Sequence, residues 1–424
     1  MSELVANKKL NVLMVGTGEY TTGFVNGAAS TSDKKVGVIG LTMFDLRRRG
    51  KVEKISIVGT NGKKLPAIRE HLNKNIGQVY NMDTTLDYSC PADDQVDPDA
   101  YKTAIDQYLS PGDAITVFTP DPTHYAIALY AIQRGIHVLL TKPAVKILSQ
   151  HQELIAEADK QGVVVMVEYH KRFDPAYRDA RAKALTFGEF NYFYSYMSQP
   201  KRQLDTFRAW AGKESDISYY LNSHHIDFHC WALEGKAVPY RVMASGSKGV
   251  ATSAPFNLAE NTEDTISLLV NWRSTATPGH EGVAVYTSSW IAPNKSEVHS
   301  QQRFHYLGAS GELHVDQAHR GYTTTSDANG HAFVNPFYMN YAPDEEGHFG
   351  GQGGYGYVSI EKFVDACRTV NAKRLAPNDL DQRHMPTIRN TVLVTAILEA
   401  GRISLDQNRP VEIAASAEDG YTLV

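Results

Sequence analysis

A lysine in front of a proline is the first residue in this chain whose placement suggests chemistry. Lys142 follows the apolar run His137-Val-Leu-Leu140 and precedes Pro143, and a neighbouring apolar run, Ala114-Ile-Thr-Val-Phe118, stops at Thr119-Pro-Asp-Pro-Thr-His124. An amine taken out of water gives up its proton more readily, so such a lysine can donate to a carbonyl oxygen that is gaining a hydride. A second candidate lies in Asp216-Ile-Ser-Tyr-Tyr-Leu-Asn-Ser-His-His-Ile-Asp-Phe-His-Cys-Trp-Ala-Leu233. Helical spacing there puts Ile217, Tyr220, Leu221, His224 and Phe228 on one stripe, with Tyr220 and His224 one turn apart. On such a face a histidine is either a satisfied core residue or half of a titratable pair turned to a cleft. His225 and His229 also stand four apart, but no third ligand follows at a recognisable spacing, so no metal is expected.

The elements around Lys142 read as a βαβ unit. Between the two runs lies one helix, with Thr123 as N-cap, an apolar stripe of Tyr125, Ala128, Leu129 and Ile132, and Gly135 at its close. Both strand ends then share the carboxyl edge of a parallel sheet, where open α/β sheets bind ligands. Upstream, Leu10-Asn-Val-Leu-Met-Val15 feeds Gly16-Thr-Gly18-Glu-Tyr-Thr-Thr-Gly23. A strand, a Gly-x-Gly turn and a helix suit a dinucleotide, since the glycines let the backbone approach a pyrophosphate. Thr21 stands where the third glycine belongs. A polar loop from Ser30 to Lys35 and a helix from Val36 to Arg49 are inserted before the strand Lys54-Ile-Ser-Ile-Val58. Gly59-Thr-Asn-Gly-Lys-Lys64 after that strand carries no carboxylate for a ribose hydroxyl. Thr60, Asn61 and Lys63 suit a 2′-phosphate, and Lys63 and Lys64 read equally as the solvated start of the next helix.

Further along, a helix is expected over 149–160, a strand over 163–167 and a surface loop over 89–99. From about Asn191 the pattern becomes alternating and aromatic, in Tyr192–Met197, Ile266–Trp272, Val283–Tyr286 and Arg303–Leu307. Such runs predict an antiparallel sheet in a separate domain. A glycine-dense stretch, 347–356, reads as flexible surface or a lid, and helices are expected over 359–371 and 385–404.

Composition sets the class. The 424 residues are too many for one compact core, and 42% hydrophobic with 21% charged residues is ordinary for a globular protein. A net charge of −5 leaves no basic excess for nucleic acid or an acidic membrane. The run Arg47-Arg48-Arg49 reads as a solvated helix end. No apolar run is long enough to span a bilayer, and three distant cysteines, Cys90, Cys230 and Cys367, fit a reducing cytoplasm.

Taken together, these motifs resemble the Gfo/Idh/MocA (glucose–fructose oxidoreductase/inositol dehydrogenase) family over nearly the whole chain. Gly16 to Gly23 matches its cofactor loop, Thr119 to His124 its loop after the fourth strand of the fold, and Thr141-Lys142-Pro143 stands where the family has Glu-Lys-Pro. Tyr169-His-Lys-Arg-Phe-Asp-Pro-Ala-Tyr177 resembles the entry to the substrate domain, and Arg409-Pro-Val-Glu-Ile413 the family's close. The resemblance implies an α/β fold class. An N-terminal Rossmann doubly wound parallel sheet (1–146) is followed by a C-terminal α+β domain with a large, mostly antiparallel open sheet (147–424). It implies Lys142 as catalytic lysine, with His224 and Tyr220 at positions where the family commonly has His and Asp. Cofactor contacts are expected from Gly16, Thr17, Gly18, Glu19, Tyr20, Thr60, Asn61, Lys63, Thr119, Pro120, Asp121, His124 and Lys142. Substrate contacts are expected from Lys142, Tyr169, Lys171, Arg172, His224 and His225, with Lys171, Arg172 or Arg202 as cation for an acid group.

Within the family, the insertion and Phe190-Asn-Tyr-Phe-Tyr-Ser-Tyr-Met-Ser-Gln-Pro200 resemble the fungal D-galacturonate reductases of pectin breakdown. The implied activity is reduction of a hexuronate aldehyde, D-galacturonate to L-galactonate, with NADPH favoured and NADH usable. The expected partner is a small sugar acid, and the open face of the second sheet can pair copies of the chain. Another sugar, polyol or diol dehydrogenase, or a non-catalytic NADP-binding regulator, stays open as an alternative.

Overall fold

A computed structural model describes residues 9–25, 27–30, 32, 34, 36–296, 298–328, 330–416 and 420–424. Thr31, Asp33 and Lys35 of the expected polar loop lie outside the described residues. The chain divides into two compact units. The first comprises 1–144, 153–173 and 336–389, the second 145–152, 174–335 and 390–424. The expected boundary after residue 146 therefore assigned two stretches of the first unit to the second domain.

In the first unit, six parallel strands form one sheet: β1 (Leu10–Val15), β2 (Val52–Val58), β3 (Tyr88–Cys90), β4 (Ala114–Val117), β5 (His137–Leu140) and β6 (Val165–Val167). Their order is β3-β2-β1-β4-β5-β6, so the direction of winding reverses between β1 and β4. This is the doubly wound dinucleotide-binding order, with its ligand crevice at the reversal. The strands read as continuous apolar runs because helices cover both faces, and β1, β4 and β5 are almost wholly buried.

The helix after the glycine turn, α1 (Glu19–Thr22), is a single turn ended by Gly23 at φ 72°. The chain then makes a small hairpin, Phe24–Val25 with Ala28–Ala29, before α2 (Val38–Arg48). Thr21 in the third glycine position does not prevent close approach of the helices, because glycines on α2 provide it. A Cβ on Gly37 or Gly40 would lie 2.7 or 2.9 Å from the Thr21 carbonyl oxygen.

The helix α3 (His124–Ile132) buries His124, Ile127, Ala128, Ala131 and Ile132, which shifts the inward face from the expected stripe and leaves Tyr125 and Leu129 at its margin. Thr123 does not cap it. Its hydroxyl turns back to Thr119 Oγ1 (2.7 Å) and the Pro120 carbonyl (2.8 Å).

Late in the chain, α4 (Tyr355–Asn371) buries Tyr357, Ile360, Phe363, Val364 and Cys367 in the same core as Leu10, Val12 and Ile55. The glycine-dense stretch before it is packed rather than open: Phe349 is fully buried, and a Cβ on Gly351 would lie 1.9 Å from the Asn340 carbonyl oxygen. The expected helix over 385–404 starts late. Pro386 and Ile388 instead bond to the backbone of β6, at Val167 and Val165.

The second unit holds an eight-stranded sheet. Its strands are β7 (Phe190–Pro200), β8 (Ala237–Ser247), β9 (Thr265–Ser274), β10 (Glu281–Ala292), β11 (Gln302–Gly308), β12 (Gly311–Asp316), β13 (Val411–Ser416) and β14 (Gly420–Leu423). The order is β12-β11-β7-β10-β9-β8-β13-β14, and every printed pairing but β7 with β10 is antiparallel. Alternation gives it one buried face, with Phe193, Tyr286, Phe304 and Trp272, and one open face on which Met243 and Leu269 are exposed. The buried face receives α5 (Ser223–Ala232), every residue of which is buried. Helix α6 (Val392–Gln407) lies beside α5 and β8. The three cysteines are buried thiols, and among the described residues no helix is long and apolar enough to cross a membrane.

Candidate active site

The carboxyl edge of the first sheet is tied together by backbone contacts. Gly16 bonds through its N–H to the Val58 carbonyl (2.8 Å) and adopts φ 105°. A Cβ there would lie 2.2 Å from the Phe118 carbonyl oxygen, so only glycine fits between the ends of β2 and β4. A Cβ on Gly18 would meet no described atom within 4 Å beyond its own chain neighbours, so this side of the turn is open to a pyrophosphate.

His124 fixes the next two loops. Its Nε2 lies 2.8 Å from the Thr119 carbonyl, and its Nδ1 lies 3.0 and 3.2 Å from the Pro143 and Ala144 carbonyls. The ring is fully buried with both nitrogens committed to main chain, so its part at the edge is to clamp the loops, not to touch cofactor as expected.

Lys142 emerges from this clamped segment. Burial pushes its amine down to about 8, while the carboxylates of Asp121 and Glu168 hold it up and the Lys34 ammonium lowers it further. An amine in that range is a usable proton donor at neutral pH. Thr141, in place of the family's glutamate, bonds by its N–H to the Val117 carbonyl (2.9 Å).

Glu168 was not anticipated. It follows β6, its N–H donates to the Leu140 carbonyl (2.7 Å), and its carboxylate is buried. Ser359 Oγ donates to Oε1 (2.9 Å), Tyr20 Oη donates to the same oxygen (3.3 Å), and His170 Nδ1 lies 3.0 Å from Oε2. Tyr338 donates to Tyr20 in turn (2.6 Å), and the Tyr20 ring stacks on Phe118 with centroids 5.0 Å apart. Burial and the Glu168 charge hold the Tyr20 phenol well above its ordinary value, so it stays neutral. The Tyr20 side chain is thus spent inside the domain. So is Glu19, whose carboxylate accepts from the hydroxyls of Ser30 and Ser32 (2.8 Å for Ser32). Through Ser32, which also accepts the Lys34 N–H (3.0 Å), the inserted segment is pinned to the glycine turn.

At the end of β2, Thr60, Lys63 and Lys64 are exposed, and Asn61 Oδ1 accepts the Lys63 N–H (3.1 Å), capping the turn. The expected substrate residues after β6, Tyr169, Lys171 and Arg172, are all buried. The Arg172 guanidinium donates to the carbonyls of His384 (3.3 Å) and Met385 (3.4 Å), which makes it a brace for that loop. Arg202 is likewise engaged, with the Asn294 carbonyl (2.5 Å).

In the second unit, the helix expected over 216–233 is broken by a π-turn, Ser218–Asn222, whose start Asp216 caps through the N–H groups of Ser218 and Tyr219. The wider turn disrupts the four-residue spacing, so Tyr220 and His224 do not sit on one regular helix. The Tyr220 ring packs on Phe207 and Trp210 with centroids 5.0 and 5.4 Å away. His224 is buried on α5. His225 is a core residue, with Nε2 2.8 Å from Tyr177 Oη, and not a substrate ligand. His229 pairs with Tyr286 Oη (2.6 Å), and burial keeps it neutral, well below the usual histidine range.

Comparison with known proteins agrees with the sheet order. Residues 10–169 match the model of the Gfo/Idh/MocA oxidoreductase family, NAD-binding Rossmann fold. The uncharacterized oxidoreductase YdgJ of Escherichia coli is 34% identical over 118 residues, 27% of this chain and 34% of its own length. The scyllo-inositol 2-dehydrogenase (NADP(+)) IolW of Bacillus subtilis is 30% identical over 136 residues, 31% of this chain and 37% of its own. The chain thus spans about a third of the length of these two curated relatives. A crystal structure of GenD2 from gentamicin A biosynthesis in complex with NAD aligns over 96% of this chain and 97% of that one, with TM-score 0.65 at 20% identity, which shows a shared fold. Residues 10–169 of this chain are thus similar to the NAD-binding Rossmann fold of that oxidoreductase family, in agreement with the parallel sheet they build.

Proposed function

We propose that the protein is an NADPH-dependent carbonyl reductase acting on a hexuronate aldehyde, with D-galacturonate reduced to L-galactonate. The observation that carries this reading is Lys142, an amine lowered to about 8 by burial at the carboxyl edge of a dinucleotide-binding sheet. The bound nicotinamide supplies the hydride. The chain supplies the rest. Lys142 Nζ donates a proton to the carbonyl oxygen as that oxygen becomes an alkoxide, and Glu168 takes the part of the glutamate that the family places before the lysine. The role expected for His224 and Tyr220 in proton supply rests on the resemblance.

An acidic substrate is supported by cations of the first unit. Lys34, on the inserted segment, acts electrostatically on Lys142, and Lys171 is a buried lysine on the turn after β6. Lys34 and Lys171, with Arg172 and Arg202, are the candidate cations for the carboxylate, and Lys34 is singled out by its electrostatic effect on Lys142. The exposed Thr60, Lys63 and Lys64 at the end of β2, in a loop whose residues 59–64 include no carboxylate, support NADPH. Lys142→Met tests the catalytic reading. Turnover should fall roughly 10²–10⁴-fold while cofactor affinity stays close to wild type, because a proton donor acts mainly in the transition state. A variant with wild-type kcat would end the assignment.

A further inference from the structure

On the open face of the second sheet, two histidines and a glutamate converge. His305 on β11 is directly opposite His314 on β12, and Glu312 is two residues before His314 on the same side. His305 Nε2 lies 2.9 Å from Glu312 Oε2, His314 Nε2 lies 3.9 Å from the same oxygen, and the two imidazoles stack with centroids 4.1 Å apart. One ligand atom from each residue falls within 4.8 Å of the others. Ligands around a tetrahedral zinc with bonds of about 2.1 Å sit about 3.4 Å apart, so the atoms are within reach of one ion once the imidazoles turn out of their stack to aim both nitrogens at it. The scaffold is rigid, because the strands are joined by a tight turn at Ala309 and Ser310 and paired in unbroken register from Arg303–Asp316 to Gly308–Gly311.

We propose that this hairpin is a binding site for one late first-row divalent ion, Zn²⁺, Ni²⁺ or Cu²⁺, held by His305, His314 and Glu312. Two imidazoles and one carboxylate form a ligand set for these ions and a poor one for Mg²⁺ or Ca²⁺, which take oxygen. The fourth position opens to solvent, since Glu312 and His314 are exposed. Because β12 is the outermost strand, an ion across the pair would tie down the edge of the sheet. The site is independent of the reductase reading and lies outside the residues named for it.

The test is Zn²⁺ titration of the full chain, without a histidine tag and stripped by chelator, followed by calorimetry. Wild type should take up one Zn²⁺ that His305→Ala and His314→Ala each lose or bind more than about tenfold more weakly. The exposed His331→Ala should leave that uptake unchanged, and Mg²⁺ should give no matching isotherm. Zn²⁺ should also raise the melting temperature of wild type more than that of either hairpin variant. Because these side chains lie on the open face, matching melts in chelator check that the variants fold. Absence of saturable Zn²⁺ uptake by wild type, or the same isotherm in wild type and both hairpin variants, would overturn the site.

Discussion

Lys142 and Glu168 show what a single residue reveals on each side of the line between local and long-range information. Lys142 is legible because its setting is local: an apolar strand, a lysine and a proline within seven residues. Glu168 is not, since its partners Tyr20 and Ser359 come from opposite ends of the chain. Arg172 was expected as a substrate ligand because it is a cation at the entry to the second domain, and His225 because it neighbours His224, and in each case only the partner decides the role. Here the partners are main-chain carbonyls and a tyrosine hydroxyl. The pairing of Lys142 with Glu168 has a pH signature. The Lys142 donor form is present below about 8 and lost above it, so the reduction rate should be level through neutrality and fall on the alkaline side. Glu168→Gln removes a negative charge that holds the amine up, so the alkaline limb should move to lower pH. A pH profile of kcat/KM identical to wild type would show that Glu168 does not act on Lys142.

At the scale of elements, strands were more legible than helices. Strands β1, β2, β4, β5 and β6 are short and largely buried, so apolar runs mark them well, whereas β3 (Tyr88–Cys90) carries no such run and fell largely within the stretch expected as a surface loop. The helix over 216–233 shows the limit. Its composition reads as one helix, yet Asp216 caps a π-turn, and the charge that fixes Asp216 comes from a distant helix. Arg402 on α6 reaches Asp216 (3.2 Å) and Glu263 (3.2 Å), both buried carboxylates. Arg402→Met should therefore destabilise the second unit by up to about 3–5 kcal/mol, read as a lower urea midpoint, because Asp216 loses its ion-pair partner and Glu263 is left with Lys248 (3.6 Å). A midpoint within error of wild type would mean that these carboxylates are neutralised some other way. The loop ending β2 carries its own expectation. With no carboxylate among residues 59–64, kcat/KM should favour NADPH over NADH by about tenfold or more. A reversed preference, measured with both cofactors at saturating substrate, would move the ribose contact away from Thr60, Asn61 and Lys63.

For the whole molecule, the sequence shows two folding patterns but not how the chain is shared between them. The pattern of α4 is amphipathic, and amphipathicity says that a helix has a buried face without saying which core it meets. Its residues pack with those of β1 and β2, more than three hundred positions earlier in some pairs, so the 336–389 stretch returns to the first unit. The proposed function spans the same scales: a dinucleotide-binding sheet, a lowered lysine amine on its edge, and two lysines, Lys34 on the inserted segment and Lys171 after β6, proposed to meet an acidic sugar. The most direct test is kcat/KM with NADPH for D-galacturonate against D-galactose, which differ by a carboxylate in place of a hydroxymethyl. Loss of a charge-assisted hydrogen bond, about 1.5–3 kcal/mol, predicts on the order of tenfold to a hundredfold preference for the uronate, narrowed in Lys34→Met or Lys171→Met. Equal rates on the two sugars would contradict a uronate reductase and leave a neutral sugar or polyol as the substrate.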